Sequence, residues 1–127
     1  MLAVGGHVLG GPDRQLVRAT TGFSGGVGST KHQMCGALSS GVMVIGAVHG
    51  RSDLSEDGQL ARELAERYRA RFVAELGSAH CQTLYDAVHA PLGQGACSAL
   101  VERAARILLD VLDEGGGEEC SPGEVME

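Results

Sequence analysis

"LARELAERYRARFVAELG", residues 60–77, decides how the rest of the chain is read. Leu60, Leu64, Tyr68, Phe72 and Leu76 recur every four residues, and Ala61, Ala65 and Val73 widen the same stripe. Arg62, Glu63, Glu66, Arg67 and Arg69 fill the other side. Apolar residues at that spacing form one face of a helix, because a strand would alternate every second residue. Gly77 supplies the stop, since glycine takes the left-handed conformation of a helix end without steric cost. The charged side reads as a solvated face with Glu–Arg pairs one turn apart, not as a carboxylate dyad.

The segments on either side read the same way. His32 to Val48 is apolar on nearly every face, which marks a buried helix, and its small residues let neighbouring backbones approach closely. Ser78 is placed to cap a short helix running to about Val88, and Pro91, Gly93 and Gly95 break it. The last helix runs from Cys97 to about Leu112, with Leu100, Val101, Ala104, Leu108, Val111 and Leu112 as its buried face. Toward the other end, Leu2 to Leu9 reads as a first helix, and Pro12 is placed to start a second. No segment reads as a strand. The expectation is an all-α, compact bundle of about five helices, with a Gly-rich loop (Gly22 to Ser29) before the buried small-residue helix. The domain spans residues 1–114, and an acidic, Gly-rich tail, 115–127, is expected to be disordered.

Composition sets limits on function. The chain has 127 residues, one domain's worth, and a net charge of −6. That charge argues against nucleic acid or an anionic membrane as the main partner. The aromatics are Phe23, Tyr68, Phe72 and Tyr85, with no Trp, so the usual base-stacking platforms are missing. The least polar run, Met34 to Val48, is short for a bilayer and interrupted by glycine and serine. The N-terminus is apolar but lacks the basic flank of a signal peptide. These features read as a soluble, cytoplasmic protein with no membrane partner. Its four cysteines are then expected as thiols or ligands rather than structural disulfides.

"TGFSGGVGSTKHQMCG", residues 21–36, poses the functional question. A phosphate loop needs G-x-x-x-x-G-K-[ST] between a strand and a helix. Here Lys31 follows Ser29 and Thr30, so neither lysine nor magnesium ligand is in register, and "RQLVRATT" upstream reads as helix. The glycines serve geometry instead: positive φ, close approach of backbone, a tight turn between packed helices, or an anion-binding nest.

The same stretch resembles the C_GCAxxG_C_C family of redox-active proteins. In that family a "GFGGGMG"-like loop leads into "CGAxxG" and an apolar run. This chain has Gly22, Phe23, Gly25, Gly26 and Gly28, then Cys35, Gly36, Ala37 and Gly41, then Gly46. The family continues with "F…G-S-x-x-C" and a further Cys opening a final helix, matched by Phe72, Gly77, Ser78, Cys81 and Cys97. The resemblance covers roughly residues 1 to 114. The family's first cysteine, in the first helix, has no counterpart from Met1 onward. Either the start is truncated or this member has lost that cysteine. Cys120 falls outside the pattern, in the tail.

The resemblance implies a redox centre held by Cys35, Cys81 and Cys97. Read on their own, these cysteines contain no C-x-x-C, which makes zinc ribbons and thioredoxin-type dithiols poor fits. Cys81 and Cys97 each sit near an expected helix N-terminus, where the dipole and free N–H groups stabilise a thiolate or an anionic cluster. Gly36 and Ala37 leave room for a bulky inorganic core, and sulfur ligands with little polar decoration suit an iron–sulfur cluster. The glycines Gly25, Gly26, Gly28 and Gly36 are expected to border that cofactor. A fourth ligand would come from an upstream cysteine, a histidine, a solvent species or a partner. His80 and His32 are the nearest histidines, each read as exposed or capping, and Lys31 as solvated.

Three readings follow: a small helical protein holding an iron–sulfur or related metal centre for electron transfer or redox sensing, a metal-free thiol/disulfide module, or an interaction bundle with packing cysteines. A redox partner protein or a homodimer would complete the first. No nucleophile–base pair or carboxylate pair is placed by spacing, so no enzyme class is assigned.

Overall fold

The computed structural model describes residues 4, 6–7, 10, 14–89 and 97–119, with side chains through 115. Its helices are α1 (Arg14–Thr20), α2 (Gly36–His49), α3 (Gln59–Leu76), α4 (Cys81–Val88) and α5 (Cys97–Glu119), with a 3-10 turn at Thr21–Phe23. The chain is an all-α bundle, and among the described residues no strand forms. α3 packs on α2 and α5; α2 also touches α5 and α1, and α4 rests on α5. No helix among the described residues is long and apolar enough to cross a membrane.

The α3 stripe makes the centre. Leu64, Tyr68 and Phe72 are fully buried, while Leu60 and Leu76 at its ends are partly covered. Leu38, Val44 and Ile45 of α2 and Leu100, Ala104, Leu108 and Val111 of α5 close around them. Each large side chain so buried contributes about 1.5–3 kcal/mol against the ordering entropy of the chain. Tyr68 also donates its hydroxyl to the Ala37 carbonyl at 3.0 Å, and its ring meets Phe72 edge-on. Gly41 makes room for it: a Cβ there would stand 2.5 Å from the Tyr68 ring. Gly77 ends α3 at φ +97°, as its sequence position requires.

Several boundaries, faces and pairings differ from expectation. α2 starts at Gly36, not His32, because residues 33–35 run extended and hydrogen-bond to residues 79–81. Its helical face is also one-sided: Gly46 and Ala47 are exposed. Ser78 does not cap α4. His80 takes the N-cap position, and Ser78 Oγ instead accepts the His80 N–H. Two α3 arginines, Arg67 and Arg71, pair across to Glu114 of α5 rather than along their own helix, while Arg62 bonds Gln59 within it. α5 continues past Leu112 to Glu119, into the glycines assigned to the tail. Gly115 packs closely there: a Cβ on it would stand 2.6 Å from Leu64 Cδ1, so a larger residue would require the Leu64 side chain to shift.

Val4, Gly6 and His7 are helical, and Val4 joins the core. The rest of the Leu2–Leu9 helix, the Pro12 start, the break at Pro91, Gly93 and Gly95, and residues 120–127 lie outside the described residues.

Candidate functional site: three cysteines on one cavity

The glycine loop folds with the opposite hand to the helices it joins. Gly25, Gly26, Val27, Gly28 and Ser29 have φ between +62° and +71°, and Lys31 follows at +63°. Left-handed backbone costs an L-residue about 1–2 kcal/mol, most for a β-branched side chain such as Val27, and glycine little. Loop hydrogen bonds hold it: Gly28 N–H to Gly22 O at 2.8 Å, Ser29 N–H to Ser24 O at 2.9 Å, and Lys31 N–H to Gly25 O at 2.8 Å. The Thr30 hydroxyl lies 2.9 Å from both the Gly26 and Val27 carbonyls.

This turn lies against the cysteines. Gly26 is buried, and a Cβ on it would fall 2.6 Å from Cys81 Cβ. A Cβ on Gly36 would fall 2.8 Å from the Phe23 carbonyl oxygen. Two further backbone bonds join the cysteine-bearing segments directly. Cys35 N–H donates to Ala79 O at 2.8 Å, and Cys81 N–H donates to Gln33 O at 2.9 Å, on either side of a Met34–His80 bridge.

Each of the three cysteines stands at a helix start. Cys35 is the N-cap of α2, and Cys81 and Cys97 are the first residues of α4 and α5. All three are free thiols, and all three line one cavity of about 360 Å³. Leu84, Leu100 and Val101 give that cavity apolar walls; Thr20, Ser24 and Ser40 bring hydroxyls, and Tyr85 one edge. Burial pushes the Cys35 thiol up from its ordinary pKa. The Ala37 and Leu38 amides pull it back, and the charges of Cys81 and Cys97 push it up again. Cys81 is raised first by burial and then by Cys97, while Lys31 lowers it. The three sulfurs therefore feel one another, and the amides at the start of α2 face that of Cys35. The Tyr68 phenol is raised by burial and by Cys35, so it stays protonated and keeps its bond to Ala37.

The other expected residues fall as follows. Gly25 and Gly36 line the cavity. Gly26 sits behind it, against Cys81, and Gly28 has open space beside it and is not among the lining residues. His80 is exposed, and its Nε2–H donates to the His32 carbonyl at 3.0 Å, away from a ligand role. His32 is exposed. Cys120 lies outside the described residues; Glu119 before it stands about 33 Å along α5 from Cys97, at 1.5 Å per residue.

Lys31 is the residue that sequence reasoning placed in solvent. It is half-buried, with Nζ 4.7 Å from the centroid of the Tyr85 ring. Its position follows from backbone hand and a contact with α4, neither of which leaves a periodic signal in the sequence.

Among the described residues, no group of three or more His, Cys, Asp or Glu side chains is placed to hold a metal ion. The thiols as they stand do not form a compact single-ion site. A four-iron centre would attach each cysteine to a different iron, and so would ask for cysteines spread around a space rather than gathered at a point.

No curated protein and no solved structure matches the chain. One family does, over residues 1–111, under the description "Putative redox-active protein (C_GCAxxG_C_C)". That span contains the left-handed turn, all three cavity cysteines and most of α5, and on it the chain belongs to the C_GCAxxG_C_C family.

Proposed function

We propose that this chain is a small helical redox protein whose Cys35, Cys81 and Cys97 hold an iron–sulfur cluster or a related metal centre. The observation that carries the reading is that three cysteines distant in sequence open three different helices onto one cavity. Soft thiolate donors select such centres. A bound cluster would supply one-electron transfer. The chain's own part is to anchor, offset charge and limit water. The Ala37 and Leu38 amides face the Cys35 sulfur, and Leu84, Leu100 and Val101 keep the walls apolar.

The test is a visible spectrum of anaerobically purified protein, with iron and acid-labile sulfide measured on the same sample. Broad visible absorbance with matching iron and sulfide is expected. Cys35→Ser should lose both, and Cys120→Ser should keep both. Equal retention in the two variants would sink the ligand assignment.

A second reading is favoured by one observation: the three thiols are free, and none of the described groups is placed for a single ion. On that reading the cavity is a metal-free thiol/disulfide module. A colourless protein that loses a pair of titratable thiols on mild oxidation would select it.

A further inference from the structure

Charge is distributed unevenly around the cavity. The chain carries −6 overall, yet between Asp13 and Asp53 there is no acidic residue. That stretch builds α1, the left-handed turn and α2, and so contributes Thr20, Ser24 and Cys35 to the cavity wall. Within it, Lys31 is held most closely. Its N–H is bound to Gly25 O at 2.8 Å, and its carbonyl accepts from Gln82 N–H at 3.1 Å, next to Cys81. Its ammonium stands over the face of Tyr85, which lines the cavity and is itself stacked on His89. A cation over a ring face gains about 0.5–2 kcal/mol, enough to bias where a flexible side chain rests. Two acids on the facing helices have other partners. Asp86 of α4 accepts from Gln82 Nε2, and Glu102 of α5 pairs with Arg106. Lys31 also acts to lower the Cys81 thiol against its burial.

We propose that Lys31 determines which compounds the site accepts: its ammonium, pinned over Tyr85 on the Cys81 side of the cavity, steers small anionic redox compounds to Cys81. The proposal deepens the redox reading of this cavity and rests on it. The left-handed conformation of Lys31 is what carries the side chain to that side, so the strained turn and the charge belong to one device.

Equimolar iodoacetate and iodoacetamide, offered together to the reduced, metal-free chain, test this directly. Both react with the same thiolate: an S–C bond forms, the C–I bond breaks and iodide leaves. The thiolate fraction therefore cancels, and the ratio of acid to amide product at Cys81, read by peptide mass spectrometry, reports local potential. The reaction is run at a pH of about 8. Lys31→Asn removes the charge with a residue that accepts left-handed backbone. It should lower the ratio about three- to tenfold, as loss of one nearby unit charge in a water-facing site predicts. Lys31→Arg should keep the wild-type ratio. Salt at about 1 M should bring the wild type down to the Asn value. An unchanged ratio in Lys31→Asn, or a fall of the same size in Lys31→Arg, overturns the proposal. Iron and sulfide measured on the untreated preparations separate the two failures. A chain without iron but with the Lys31-dependent ratio keeps the steering and loses the cluster; a chain with iron and no dependence does the reverse.

Discussion

In α3, Leu64, Tyr68 and Phe72 are wholly covered, and the backbone around them is regular helix ended by a single left-handed glycine. In the turn at Gly25–Ser29, five residues in a row are left-handed, and Val27 and Ser29, two that are not glycine, have exposed side chains. The first region gains its stability from side chains and lets the backbone follow. The second holds an unfavourable backbone by hydrogen bonds and uses it to bring Gly26 against Cys81 and Lys31 over Tyr85. Stability and site thus rest on different parts of the chain, and substitutions should separate them.

The largest effect is expected from Phe72→Ala. It empties part of the fully buried centre and should cost about 3–5 kcal/mol in denaturant unfolding, with the cysteine cavity lost only as the whole bundle opens. A small loss would mean that α3 is not the centre of the core. Gly26→Ala comes next. Its Cβ would collide with Cys81 and would sit on left-handed backbone, at a cost of about 1–3 kcal/mol for the overpacking. Unlike Phe72→Ala, it should disturb Cys81 alkylation or iron content more than it disturbs the melting temperature. The reverse order would remove the functional meaning given to the turn. Val27→Gly works in the other direction. It relieves a β-branched left-handed residue that buries little, and should raise stability by about 0.5–1 kcal/mol after the added freedom of the unfolded chain.

Glu114→Gln should have the smallest effect and shows how α3 and α5 are joined at their surface. Arg71, and then Arg67, hold the Glu114 carboxyl below the usual carboxylate range. A lowered folded-state value means that its contribution is present above the unfolded value and lost as pH falls through the folded one. The difference between wild type and Glu114→Gln should therefore be visible at neutral pH and begin to shrink as pH falls past the ordinary glutamate value of about 4.3. Added salt should shrink it, because the pair is exposed. A difference that grows in acid would contradict this account.

How far each region could be read in advance follows from the same contrast. The α3 stripe was legible because burial every fourth residue is a local, periodic demand on residue type. The start of α5 at Cys97 and the glycine stop at Gly77 were legible too, since end signals are local. The start of α2 was not. Nothing in Gln33, Met34 or Cys35 forbids helix, and backbone bonds to the distant Ala79 and Cys81 draw the segment out of it. The cross-helix pairing of Arg67 and Arg71, the left-handed Lys31 and the continuation of α5 over Gly115 all depend on partners far along the chain. The glycines announced a loop, but not its hand nor which of them would face Cys81. The order of the three cysteines was plain from the sequence, whereas their meeting on one cavity needed the bundle.

The two backbone bonds beside the Met34–His80 bridge have a consequence for the cysteines they flank. Cys35 and Cys81 are tied through main chain to the same short ladder, so the gap between them is set by peptide geometry and changes little while that ladder holds. Cys97 has no such tie among the described residues and is located by where α5 begins. The spacing of Cys35 and Cys81 is thus a main-chain property, whereas the place of Cys97 relative to them follows from how α5 packs on the bundle.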